Sequence, residues 1–501
     1  MKKVIVLFVL VFFVYMPVFS GGGRQAVQRG PRADIIVALA ASNISLDPHE
    51  TNDQASADVN RQIYSALVRT TAEKMEFTGD LAEHWENISP TVWRFHLRRA
   101  VTWHDGEPFT AYDVRHSILR QQTKPQTRHL VSFITDVRIL DDHTVDIVTN
   151  EPVGPLLANL SHNATLIVPR HVDNLAENPI GTGPMSFVSW TPGVEVKLKR
   201  YENYFGGLPF TKTLTYRVIS DGQARTIALE TGEVDLVLTL DPAGVGRVQS
   251  HRALELHEVM SNRIEWLSMN MNRPPFDNVL VRRAIAYAID VESLNIAVYN
   301  GRAQAAASFT GPTVFGFNPR IRAIPHNPAR ARELLVEAGL PDGFDTVLWS
   351  SGEARNRKAE LIQLSLQDVG IMVYIKLLEW ADYIERTSLG EHYMHLLGWA
   401  NLSGDADTGL WPIFHTASQG FIGNRSFFSN ARVDELLEMG RRETNMAARL
   451  PIYHEIQEIL YQYLPVIPLH ILPIEQGVRR GLLGVEVHPG GSHRLHNLRF
   501  E

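Results

Sequence analysis

The 501-residue chain contains no cysteine. That excludes disulfides, thiolate metal centres, a cysteine nucleophile and a lipid anchor carried on cysteine. Excess positive charge is also missing. Lys and Arg (48) are outnumbered by Asp and Glu (55), giving a formal net charge of −7, which becomes −9 if Lys2 and Lys3 leave with a leader. Without a dense basic cluster, such a surface does not suit nucleic acid. After residues 4–19 there is no second long apolar run, so no further membrane span is expected. Catalytic signatures are absent as well. His454-Glu455 has Glu458 where a zinc-protease helix needs its second histidine, and there is neither a Gly-x-Ser-x-Gly elbow nor a Gly-rich phosphate loop ending in Gly-Lys-Ser/Thr. No repeat of fixed period is found.

What is present begins with a targeting segment. Lys2 and Lys3 precede the apolar run 4–19, and Val18 and Ser20 are small enough for the −3 and −1 positions of a signal peptidase. Cleavage after Ser20 is expected. With Gly at 21 and no cysteine, the product is not expected to be a lipoprotein, and retention of an unanchored secreted protein favours a periplasm. Residues 21–33 read as a flexible leader. The remaining chain of about 480 residues is too long for one compact core, so two or three lobes are expected.

Strands and helices alternate irregularly, which gives a mixed α/β class. A first buried strand is expected over 35–41 and a helix over 57–68 with Val59, Ile63, Ala66 and Leu67 on one face. Asp141-Asp142-His143 joins strands at 137–140 and 145–149. Gly181 and Gly183 sit where the chain changes lobes, and they relieve backbone crowding there. Helices are expected over 222–232, around 281–289, from the Asn327 cap to Gly339, over 433–439 and over 452–463. Arg282 and Arg283 are expected on the solvated side of their helix. Pro465 and Pro468 then hold the chain extended.

Residues 82–106, AEHWENISPTVWRFHLRRAVTWHDG, alternate apolar and polar side chains from Val92 to Leu97 and then turn at His104-Asp105-Gly106. This stretch resembles the signature of the family 5 extracytoplasmic solute-binding proteins, the peptide and nickel receptors of ABC importers. Further segments resemble the family in its own order: SLDPHETNDQASADVNRQIYSALV (45–68), PFTAYDV (108–114), IGTGP (180–184), TGEVDLV (231–237), MNRPPFDNVLVRRAIAYAID (271–290) with NPARARELLVEAGL (327–340), and LGWA (397–400) with PVIPLH (465–470).

The resemblance implies a two-lobed periplasmic-binding-protein clamp of type II, class C-like, with an extra inserted domain. Residues 34–64, 179–271 and 466–501 would form a core lobe, 65–178 its inserted subdomain and 272–465 the second lobe. It implies a monomer that captures a small peptide between lobes, delivers it unaltered to an ABC permease and uses no cofactor. Family peptide receptors carry an Asp three residues past the Gly-Trp tryptophan, paired with the ligand's ammonium group. Here Gly398-Trp399 is followed at that spacing by Leu402. Asp405 and Asp407 are nearby substitutes, or the ligand lacks a free ammonium. Asn52, Asp53, Asn270, Trp399 and Ala400 complete the expected ligand-binding set. Arg263 reads either as a carboxylate clamp or as one half of a surface ion pair. The missing carboxylate, with Trp399 and Trp411, also suits an oligosaccharide. His392, His395 and His415 keep a nickel chelate open, and a secreted hydrolase is the reading from another class.

Overall fold

A computed structural model describes residues 32–51, 53–420 and 423–501. The expected signal peptide, Asn52 and all but the end of the leader lie outside the described residues. Among the described residues, no helix is long and apolar enough to cross a membrane.

One twisted sheet runs through the molecule. Its order is Ile371–Leu377, Phe344–Ser350, Met394–Ala400, Leu254–Met269, Val466–Arg479, Leu236–Val237, Asp34–Leu39, Thr213–Val218, Glu195–Arg200 and Met185–Thr191. Asp34–Leu39 is central and pairs in parallel on both sides, which explains its nearly continuous burial. The two longest strands, Leu254–Met269 and Val466–Arg479, pair antiparallel and pass from one half to the other. Their register shifts between Met260 and Ile264 and again between Glu265 and Trp266, so the pair bends where the halves meet.

Separate apolar cores flank this pair. One contains Ile35, Val37, Val59, Leu214, Tyr216 and Leu498. Others gather Leu267, Ile285, Leu334, Leu348 and Ile371, and Trp266, Phe309, Leu410, Phe414 and Tyr453. A further core belongs to a four-stranded antiparallel sheet of Ala82–Ser89, Val92–Leu97, Thr144–Thr149 and Ile134–Asp141. Within it Trp93, Phe95 and Leu97 point inward and Val92, Arg94 and His96 do not, as the period of two requires. Helix Ala111–Gln122 starts with a capping box between Thr110 and Asp113 and closes over that sheet.

Several elements differ from expectation for clear reasons. The first helix spans Gln54–Ile63, not 57–68. It starts earlier because Asp53 caps it, accepting the Ser56 N–H at 2.9 Å. It stops at Ile63, whose carbonyl accepts the Gly183 N–H at 2.8 Å. The helix expected over 452–463 spans Met446–Tyr463, opened by the Asn445 cap. Arg282 is not solvated: it is 1% exposed and donates to the carbonyls of Phe276, Asp277, Tyr463 and Leu464. The end of a helix leaves carbonyls without partners, and this guanidinium supplies donors to them. Arg283 is half-buried and reaches the Gln462 carbonyl at 3.3 Å.

Gly181 and Gly183 do what their positions suggested. A Cβ on Gly181 would stand 1.9 Å from the Ile63 carbonyl oxygen, and one on Gly183 would stand 2.5 Å from that of Gln62. Backbone, unlike a flexible side chain, cannot step aside. Gly181→Ala is therefore expected to destabilise the protein by about 1–3 kcal/mol or more, measured by thermal melting. An unchanged melting temperature would show that the crowding is not real.

Candidate functional site

The site forms where the first helix meets the loop after strand Met394–Ala400. That strand lies antiparallel to Leu254–Met269, with Trp399 opposite Ile264 and Ala400 opposite Arg263. Gly398 is required there, because a Cβ would come within 2.8 Å of the Ile264 carbonyl oxygen. Asn401 then organises the loop. Its side chain accepts the Gly404 N–H at 2.9 Å and donates to the Asp405 carbonyl at 2.7 Å. This local bonding, of the kind Asn favours in turns, presents Leu402 to the other half of the molecule.

Leu402 lines a narrow cavity of about 20 Å³ together with Pro48, Thr51, Asp53, Gln54, Ala57, Asn60 and Asn163. Asp53 is the only carboxylate on its wall. One oxygen of Asp53 caps the helix through Ser56, and the other takes the Thr51 hydroxyl. A second narrow cavity, of about 10 Å³, lies behind the loop, walled by Asn262, Ile264, Trp266, Phe309, Trp399 and Phe414. Trp399 is held by its indole N–H, which donates to the Thr408 carbonyl at 3.1 Å.

The two aspartates offered as substitutes for the missing carboxylate are already engaged. Asp405 is 2% exposed and meets Arg449 through two bonds of 2.8 and 3.0 Å, while its Oδ1 also caps helix Ala406–Phe414. Asp407 is equally buried and binds Arg441 at 2.8 Å. Burial alone would lower the Arg449 pKa; the Asp405 carboxylate outweighs it and holds the guanidinium charged. These are paired-fork ion pairs that fix the loop. Across the gap, Arg442 meets Glu151 at 2.5 Å and Gly154 N–H donates to the Arg441 carbonyl at 2.7 Å, so the halves touch at this rim.

Asn270 is placed elsewhere. It is 1% exposed and sits at the far end of its strand from Arg263, with its amide donating to the carbonyls of Gly390 and His392 and its oxygen accepting the Asn272 N–H. Ala400 is half-buried and lines neither cavity. His392 and His395 stand with ring centroids 4.4 Å apart, yet both are 0% exposed. Among the described residues, no group of three or more His, Asp or Glu is arranged to hold a metal ion.

Beside Ala400 lies a cluster that sequence reasoning missed. Glu265 is buried and contacts Lys358, with Arg355 at 3.5 Å and Arg263 at 3.8 Å; the Tyr299 hydroxyl donates to it at 2.8 Å. Burial would raise the Glu265 pKa, but Lys358, Arg263 and Arg355 overcome it and hold the carboxyl at about 2. Three cations face one carboxylate, and Arg263 and Arg355 are the partly open members, with side chains 35% and 16% exposed. Only the i, i+3 spacing of Arg355 and Lys358 on helix Glu353–Gln367 hinted at a shared face.

Two outcomes follow. Asp405→Asn strands a buried guanidinium and is expected to cost about 3–5 kcal/mol, read from urea denaturation. A loss below about 1 kcal/mol would show that Asp405 is not structural. Acid is expected to weaken the fold in two stages. Burial depresses His49, His392 and His470 to about 4, so the unfolded chain takes up their protons first and stability falls as pH drops from about 6.5 to 4. Glu265, held at about 2, adds a further loss below about 4.5. Asp58, raised to about 7 by burial, acts with the opposite sign between its unfolded value and 7, but it is one group against several. Melting temperatures across this range should fall with pH; a rise on acidification would contradict the assignment.

Residues 76–421 match the model of the bacterial extracellular solute-binding proteins, family 5 (middle). The dipeptide-binding protein of Escherichia coli K12 is 28% identical over 476 residues, 88% of this chain and 89% of that protein. Heme-binding protein A of Haemophilus influenzae is 29% identical over 447 residues, 82% of each. The ABC transporter-associated periplasmic binding protein DppA of Helicobacter pylori, solved with the peptide STSA, superposes with a TM-score of 0.82 at 28% identity, covering 93% of this chain and 98% of that one. The fold is thus the two-lobed α/β clamp of those receptors, and the chain belongs to the family 5 bacterial extracellular solute-binding proteins.

Proposed function

We propose that this protein is the extracytoplasmic receptor of an ABC importer, and that it captures a short peptide between its lobes and releases it unaltered to a membrane permease. The lobes divide at 34–64 with 179–271 and 466–501, against 272–465, with 65–178 inserted in the first. The paired strands Leu254–Met269 and Val466–Arg479 act as the hinge. In this reading the chain works as a monomer outside the cytoplasm after loss of residues 1–20, without a lipid anchor.

The observation that carries the reading is the separation of charge around the loop after strand Met394–Ala400. On one side, the cavity at Leu402 holds the single carboxylate Asp53. On the other, beside Ala400, Arg263 and Arg355 have more positive charge around them than Glu265 neutralises. A peptide zwitterion needs one anion and one cation held apart, because a buried ammonium or carboxylate left unpaired costs several kcal/mol. Asp53 takes the ammonium in place of the family carboxylate, and Arg355 with Arg263 takes the carboxylate through planar guanidinium forks. Support comes also from the relatives that bind dipeptides or were solved with peptide.

The test is titration calorimetry with di- and tripeptides, free and N-acetylated. Free peptides are expected to bind at about micromolar Kd, roughly −8 kcal/mol. Asp53→Asn should weaken free peptides about tenfold or more and leave acetylated ones unchanged, and Leu402→Asp should strengthen free peptides. Binding of an oligosaccharide or a nickel chelate with no peptide bound would overturn the reading, as would turnover of any bound compound.

A further inference from the structure

A cavity of about 380 Å³, open at its mouth, lies outside the cleft, where strand Val68–Thr70, the turn at 204–206 and the C-terminal segment 484–497 meet. It shares no lining residue with either cavity of the cleft. Its volume is that of small-molecule sites, and its walls are polar. Three guanidinium groups, Arg69, Arg98 and Arg494, face two carboxylates, Asp80 and Glu486.

Most of these groups have partial commitments. Asp80 accepts the Ala66 N–H at 3.1 Å on one oxygen and Arg494 at 3.3 Å on the other. Arg98 donates its Nε to the Asp80 carbonyl at 2.6 Å and lies 5.6 Å over the Phe205 ring. Glu486 is exposed. Arg69 differs: it is half-buried, and its guanidinium has neither a hydrogen bond nor an ion pair among the described residues. Burial, and then the neighbouring Arg494, disfavour its charge, and the Asp80 and Glu486 carboxylates only partly offset them. On the opposite wall the ring Nδ1 of His496 is buried without a partner. Burial keeps that imidazole neutral in ordinary conditions, with its pKa at about 4.

An unpaired, partly desolvated guanidinium is costly unless an anion completes it. A guanidinium offers paired N–H donors in the spacing of a carboxylate or phosphate edge, and a neutral imidazole adds one more N–H in the tautomer that suits. We propose that this cavity binds a small polyvalent oxyanion, phosphate or carboxylate, with Arg69 as its principal cation, Arg98 and Arg494 flanking it, and His496 as a further donor. The site acts independently of the cleft, since no wall is common to the two.

The experiment is titration calorimetry of the purified protein with inorganic phosphate and, separately, with citrate, at constant ionic strength so that general salt effects cancel. Saturable binding of at least one anion is expected, and the anion that saturates identifies the class. Arg69→Gln should weaken it at least tenfold without lowering the melting temperature, because its guanidinium makes no direct hydrogen bond or ion pair to lose. Arg69→Lys should give an intermediate loss, since charge is kept and the fork is removed. Peptide binding in the cleft should be unchanged in both variants, which separates this proposal from the peptide reading. Failure of both anions to saturate, or equal binding by Arg69→Gln and the natural protein, would overturn it.

Discussion

The pairing of Leu254–Met269 with Val466–Arg479 is the constraint on which the rest depends. These strands are the continuous covalent and hydrogen-bonded link between cores that otherwise bury their apolar residues separately. A long antiparallel ladder resists stretching and slippage, because a one-residue slip would turn every inward side chain outward. It bends more readily where its register breaks, and both breaks fall between Met260 and Trp266. Arg263, Glu265 and the partner strand carrying Trp399 lie in that same short stretch. In the reading proposed above, bending and ligand contact are therefore built into one segment of chain.

Around this link, charge is divided between structure and site. Asp405 and Asp407 are spent on Arg449 and Arg441, which anchor the loop that presents Leu402. Glu265 is spent on Lys358 but leaves two guanidinium groups only loosely satisfied. A clamp needs both kinds. Fully satisfied pairs make each lobe rigid, and incompletely satisfied ones give the ligand a reason to favour the closed state. Closure proceeds only as far as that differential affinity allows.

Much of this was legible in the chain itself, and the limits have physical causes. The alternation from Val92 to Leu97 identified its strand, because one face is buried and the other is not. The Asn327 cap and Gly339, with φ of +80°, bounded their helix correctly because both signals are local. Gly181 and Gly183 marked a close approach for the same reason. What failed was long-range. Arg282 looked like a solvated helix residue, since the carbonyls of Tyr463 and Leu464 that engage it are about 180 residues away. Asp405 and Asp407 looked available, since Arg449 and Arg441 belong to later helices. The Glu265, Arg355 and Lys358 cluster left almost no trace, because sequence spacing says nothing of which strand a helix will cover. Hydrophobic period and capping are written locally, whereas charge pairing is written in the fold.

The central claim is that two rigid bodies joined by one bending ladder close on a solute. Small-angle X-ray scattering of the protein, alone and saturated with a peptide that calorimetry shows to bind, tests it most directly. The radius of gyration should fall on binding while each lobe keeps its own dimensions. Identical scattering curves for the empty and the peptide-saturated protein would contradict the account.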